Sequence, residues 1–280
     1  MGINGELYDA AIERRQRQIR LFEETSHFLT GVPAFSHVSA LEFHGVETPA
    51  DCRLSLMPPH IAIASGTKGP GRRNTRVRSH EWNGALIGSN YDAYDVVGPQ
   101  VAWVQIAGTT GEEGLIVAGC SLACWNEQLR CCTVEDLIQY AVDTPGFAGR
   151  ARCLKIKDEL VNNTASPRES VLFLLLLRNG IGRGVPNFRV DLEDGSCCYL
   201  DIAFPDLKFG IEYQGSYHAD TAVMCADFHK YNALRIQGWD LLYVTKRDLC
   251  TDAAKQHILE QISTMMERQR MLLEIAHIVI

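Results

Sequence analysis

Between Ser166 and Thr245 the spacing of apolar residues switches period several times. Ser166-Pro167-Arg168-Glu169 reads as a capping box with proline at the first helical position, and it opens onto the wholly apolar run VLFLLLL, which predicts a buried helix. In NFRVDLE, CYLDIAF and FGIEYQG every second residue is apolar, which predicts three strands. CADFHKYNALRIQ returns to helical spacing at Phe228, Tyr231, Leu234 and Ile236, with Gly238 placed to end the helix. WDLLYVT is then a fourth strand, and the long helical crossover before it allows it to run parallel to the third. The expected core is αβββαβ, closed by a last helix.

The first half has a different texture. ELYDAAIERRQRQIRLFEE carries a thin apolar stripe, and Ser36 precedes HVSALEFHG as an expected N-cap, so residues 6–46 read as helices. Residues 50–107 carry the strand-like runs IAIAS, TRVRS and VAWVQIA, broken by Pro-Pro, Gly-Pro-Gly and Gly-Pro. From Glu112 to Asn162 helical spacing returns. The polar stretch VNNTASP marks the expected boundary between a mixed α+β domain, 1–162, and a second domain, 163–280. The fold class is therefore α/β in the broad sense, α+β in detail.

Composition narrows the setting. The 280 residues exceed the usual size of one domain, and a hydrophobic content of 46% can supply two cores. No run is long and apolar enough for a membrane span, and the charged start MGINGELYDAAIERRQRQIR is unlike a signal peptide, so the chain reads as cytoplasmic with no membrane partner. Ten cysteines then read as reduced thiols. The net charge of −7 argues against coating nucleic acid indiscriminately, yet leaves room for a local basic groove. KGPGRRNTRVR offers one, with Lys68, Arg72, Arg73, Arg76 and Arg78 and no acid; it reads either as a phosphate-tracking segment or as a solvated loop. Cys120, Cys124, Cys131 and Cys132 lack a C-x₂-C pair and read as buried thiols rather than zinc ligands.

Two acids break the apolar pattern of the second and third strands. If Pro205 to Lys208 form the loop of a hairpin, Phe204 faces Phe209, and counting back puts Asp201 opposite Glu212. In that reading Leu200, Ile202 and Phe204 share one face, and Asp201 and Ala203 the other. Like charges so placed are destabilising unless something offsets them.

From Ser166 to Leu249 the chain resembles the Vsr-like endonuclease domain of the restriction-endonuclease-like PD-(D/E)XK superfamily. The resemblance rests on SPRES, the aspartate of YLDIAFP, EYQG-x-x-H ending at His218, D-x-x-K-x-N-x-L from Asp227, and GWDLLYVT. FSHVSALEFHG and VAWVQIAGTTGEEGLIVAGCSLACW resemble the region that accompanies this domain in bacterial proteins, some related to abortive-infection antitoxins. The resemblance implies a restriction-endonuclease-like core that hydrolyses phosphodiester bonds in DNA with Mg²⁺ or Mn²⁺. Asp201 and Glu212 would hold the cation, with the backbone carbonyl of Tyr213 and with Glu169 as a further ligand; Glu169 is equally explained by the capping box. His218 would assist proton transfer or hold a phosphate. Gln214 stands where the superfamily has lysine, and it supplies no charge, though it can orient a water. Lys230 would replace that cation or contact nucleic acid, or else pair with Asp227 one turn earlier. The departure at Gln214 keeps a second reading open, a DNA-binding or antitoxin-like regulator on the same scaffold. Oligomeric state is not legible in the sequence.

Overall fold

The computed structural model describes residues 3–67, 75–215 and 230–278, and the chain divides into two compact units, Met1–Pro167 and Arg168–Ile280. Each mixes helices with one sheet. Among the described residues no helix is long and apolar enough to cross a membrane.

The first unit begins with α1 (Ile3–Ser26), β1 (Ala34–Phe35), α2 (His37–Phe43), β2 (His60–Ala64) and β3 (Arg78–Trp82). It continues with β4 (Gly88–Asn90), β5 (Asp95–Val97), α3 (Pro99–Ile106), α4 (Glu112–Leu122), α5 (Val134–Asp143) and α6 (Arg150–Lys155). The strands lie in the order β3-β2-β1-β5-β4. β1 is only two residues long, but Phe35 is fully buried and stacks on Phe22 of α1 with ring centroids 3.8 Å apart, which fixes helix to sheet.

Two expectations fail here. VAWVQIA forms α3, not a strand. Val101 to Ile106 are all buried, so no polar face reveals the period, while Gly98 followed by Pro99 supplies a helix start. Ser36 occupies the N-cap position of α2 without capping it; its hydroxyl lies 2.9 Å from Nδ1 of His37.

The second unit runs α7 (Pro167–Arg178), β6 (Val185–Asp191), β7 (Cys197–Phe204), β8 (Phe209–Gln214), α8 (residues 230–236 as described), β9 (Asp240–Thr245) and α9 (Asp252–Ile278). The sheet order is β6-β7-β8-β9, antiparallel at the first two junctions and parallel at the last. Phe204 pairs with Phe209 as the four-residue connection requires, and Lys208 closes that turn with a positive φ of 47°. Leu200, Ile202, Phe209 and Ile211 are fully buried, each worth about 1.5–3 kcal/mol relative to an exposed side chain.

β7 does not keep the alternation its sequence predicts. Cys198, Leu200 and Ala203 fall in one buried cluster with Leu234, Trp239 and Leu241, so residues three apart share a face. The change of phase lies where the β6–β7 register skips Asn187 and Asp201, although pairing resumes unchanged on either side. Asn187 adopts φ 48°, a left-handed conformation that an asparagine tolerates better than most residues. Asp201 therefore sits at a break in the strand rather than on a regular face.

Candidate functional site

The β7–β8 ladder ends at the pair Ile202–Ile211, and one position beyond it Asp201 and Glu212 are the next residues to meet. Asp201 does not continue the ladder with its backbone. Its Oδ2 instead accepts the Tyr213 N–H at 2.7 Å, taking a donor that the ended ladder leaves over. Tyr213 thus offers its N–H to the acid. β8 is held on its other side by parallel pairing with β9, in which Glu212 registers with Tyr243 and Gln214 with Thr245.

Lys230, at the described start of α8, completes the group. Its Nζ donates to Glu212 Oε1 at 2.9 Å and to the Tyr199 carbonyl at 2.6 Å. The ion pair is largely enclosed, with side-chain exposures of 26% for Lys230 and 12% for Glu212. Desolvation pushes Asp201 above the ordinary carboxylate range, and neither the Tyr213 N–H nor the Lys230 charge cancels it. The same surroundings raise the Cys198 thiol, through burial first. An aspartate with a raised pKa beside a neutralised glutamate is a cluster whose charge balance changes on receipt of either a proton or a cation.

The remaining expected site residues divide by position. Glu169 is buried on α7, and Gln214 is half-buried two residues after Glu212. His218 and Asp227 lie outside the described residues, as do Lys68, Arg72 and Arg73 of the basic segment. Arg76 places its guanidinium 3.9 Å from the centroid of the exposed Phe28 ring, and Arg78 opens β3 beside His60. Cys120 and Cys124 are buried and Cys131 and Cys132 half-buried, and none of the four is in a disulfide. Burial raises Cys131 to about 11 and Cys132 further.

Whether the acids suit a divalent cation is a matter of donor chemistry. Two carboxylates are an oxygen set that suits Mg²⁺, which is commonly held by one or two carboxylates while keeping several waters. Among the described residues no group of three or more His, Cys, Asp and Glu side chains is arranged to hold a metal ion, so the protein would contribute the carboxylate pair and solvent or substrate the rest.

A second constellation escapes sequence reasoning. His37, His60 and His80, from α2, β2 and β3, stack in the first unit, with His37–His80 and His60–His80 ring centroids 3.9 and 4.9 Å apart. Their separations along the chain carry no motif. The parallel β2–β3 pairing, with His60 beside Arg78 and His80 beside Ala62, brings the rings together.

In comparisons with protein-family models, with curated proteins and with solved structures, nothing matches this chain.

Proposed function

We propose that the second unit is a restriction-endonuclease-like hydrolase that cleaves phosphodiester bonds in DNA with Mg²⁺ or Mn²⁺. The observation that supports the reading most is the convergence of Asp201, Glu212 and Lys230 at the end of the β7–β8 ladder. When bound there, the cation would polarise the scissile phosphate and lower the pKa of a coordinated water. The chain's own residues have separable tasks. Asp201 is held in position by the Tyr213 N–H, so its free lone pairs keep a fixed direction. Glu212 is oriented by Lys230, whose ammonium would supply at the acids the positive charge that Gln214 cannot. Gln214 would orient the attacking water through its amide, and Glu169 and His218 are the further candidates for ligand and proton carrier.

The same ion pair supports a second reading. An ammonium resting on Glu212 already offsets the repulsion between the acids, as it would in a DNA-binding or antitoxin-like regulator that keeps the scaffold without the cation. Supercoiled and single-stranded DNA incubated with the full chain in Mg²⁺, Mn²⁺ or EDTA separates the two. The hydrolase reading expects metal-dependent cleavage that disappears in Asp201→Asn and Glu212→Gln. Binding of DNA with no cleavage in any metal establishes the regulator instead.

A further inference from the structure

The face of β8 and β9 that carries Glu212 carries an aromatic ring beside it. A side chain added at Gly210 would meet Leu200 and Leu241, so Gly210 and Leu241 point to the side of the sheet that packs with Leu234 of α8. Residues two apart on a strand share a face, and the parallel register matches Gly210 with Leu241, Glu212 with Tyr243 and Gln214 with Thr245. Tyr243 is therefore the neighbour of Glu212 on that face. Leu241 is buried whereas Tyr243 is 38% exposed, so the apolar row gives way to an open ring where the acid stands.

α8 extends the row. The ring centroid of Tyr231 lies 6.5 Å from that of Tyr243 with the planes 42° apart, and Tyr231 directly follows Lys230, the residue that holds Glu212. Arg235, one turn further along the helix, places its guanidinium 5.5 Å from the Tyr231 centroid. At the far end of β9, Lys246 and Arg247 are exposed and open the 3₁₀ turn Lys246–Leu249. Cations thus follow the two rings along both α8 and β9.

An exposed tyrosine on a strand is ordinary by itself. The surroundings of Tyr243 single out a ligand, because an aromatic face flanked by cations matches a chain in which flat heterocycles alternate with anions. A base paired in a duplex has both faces covered by its neighbours, and its phosphates would reach the cations while leaving the ring unused. An unpaired base presents a free face, and stacking on a tyrosine accepts any base because every base has one.

We infer that Tyr243, backed by Tyr231, is a shelf on which an unpaired base stacks beside the carboxylates, so that the nucleic acid taken by the second unit is single-stranded at that point. The inference rests on the reading that this unit takes nucleic acid, and it holds for the hydrolase and the regulator alike. The test titrates the full chain in EDTA, by fluorescence anisotropy at several salt concentrations, against a labelled single-stranded DNA of mixed sequence and against the duplex of the same sequence. The single strand is expected to bind at least about tenfold more tightly, as the loss of one base–aromatic stack would give. Tyr243→Leu should weaken single-strand binding by about tenfold with the salt slope unchanged, since no cation is lost, and Tyr243→Phe, which keeps the ring, should bind as wild type does. Tyr243→Thr, equally suited to a strand, repeats the test if the leucine variant does not fold. A duplex bound as tightly as the single strand, binding of neither, or undiminished binding in a folded Leu or Thr variant would overturn the inference. Cleavage assays in Mg²⁺ and Mn²⁺ keep it distinct from the hydrolase reading. A strand that binds through Tyr243 and is never cut keeps the shelf and removes the hydrolase, whereas metal-dependent cleavage that Tyr243→Leu does not slow, on single strand or duplex, keeps the hydrolase and removes the shelf.

Discussion

Lys230 holds Glu212 with a charge-assisted bond in a largely enclosed position, so a cation arriving at the acids meets an ammonium already there. Replacing it by methionine keeps the apolar stem and removes the charge. In EDTA, Lys230→Met should cost about 1–3 kcal/mol, because the enclosed Glu212 loses the ammonium that faces its Oε1. If Lys230 competes with the metal, the same variant should show a larger Mg²⁺-dependent rise in melting temperature than wild type; an unchanged rise would mean that ammonium and cation do not share Glu212. Asp201 behaves oppositely. Its folded pKa lies above the unfolded value, so its contribution is fully favourable below about pH 4 and is lost as the pH rises through the raised folded value. At neutral pH the charged form is a burden, and Asp201→Asn should melt no lower than wild type in EDTA. It should also lose most of the Mg²⁺-dependent increase, which for a site at ten times its Kd is roughly 1.4 kcal/mol, or several degrees. An equal shift in mutant and wild type would place the ion elsewhere. On the proposed hydrolase reading, Gln214→Lys adds a charge two residues after Glu212 and should raise a metal-dependent cleavage rate; a rate left unchanged or reduced would assign the positive charge at the site to another group.

The strand break that presents Asp201 belongs to β6 and β7 together, since the register is lost only at Asn187 and Asp201. A β-branched residue at Asn187 resists φ 48°, so Asn187→Val should cost about 1–3 kcal/mol, while Asn187→Gly should stay within about 1 kcal/mol of wild type. If the left-handed residue is what turns Asp201 toward β8, Asn187→Val should also reduce the Mg²⁺-dependent stabilisation. Retention of the full metal response in a destabilised variant would separate the break from the site. This explains what was legible in the chain and what was not. The Phe204–Phe209 register follows from a loop length, and the parallel run of β9 from a long crossover; both are local rules acting on visible patterns. The phase change in β7 coincides with the left-handed Asn187 on the neighbouring strand, so counting every second residue within β7 cannot find it. α3 escapes the pattern for a related reason: a helix enclosed on all sides has no polar stripe, and its six buried residues from Val101 to Ile106 fit a buried strand equally well. The histidine stack required β2 to lie beside β3 in the observed register, a pairing that no local signal announces.

Over the whole molecule, the two units carry titrating groups of opposite sign, which makes their stabilities separable by pH and by metal. In the first unit burial brings His44 and His80 down to about 4, with Arg15 opposing protonation of His44, and His60 and Arg78 that of His80. A histidine depressed on folding contributes stability that is fully present above its unfolded pKa near 6.5 and is lost as the pH falls toward 4, because the unfolded chain binds the proton first. A fully desolvated group would give up to about 1.4 kcal/mol per pH unit in that window, and less is expected here because both rings keep some solvent contact. In the second unit the raised Asp201 works the other way, contributing stability as the pH falls through its folded value. Calorimetry of the full chain in EDTA, stepped from pH 7.5 to pH 5, should therefore lower the first unit's transition more than the second's. Added Mg²⁺ at pH 7.5 should raise only the transition that Asp201→Asn renders insensitive to the metal, which identifies it as the second unit's. His80→Gln, which cannot take up the proton, should flatten the acid response of the other transition without altering the metal response. If acid and metal move one common transition, or if His80→Gln changes the Mg²⁺ shift, the two sets of groups are energetically coupled, and the carboxylates and the histidines have to be treated as parts of one cooperative system.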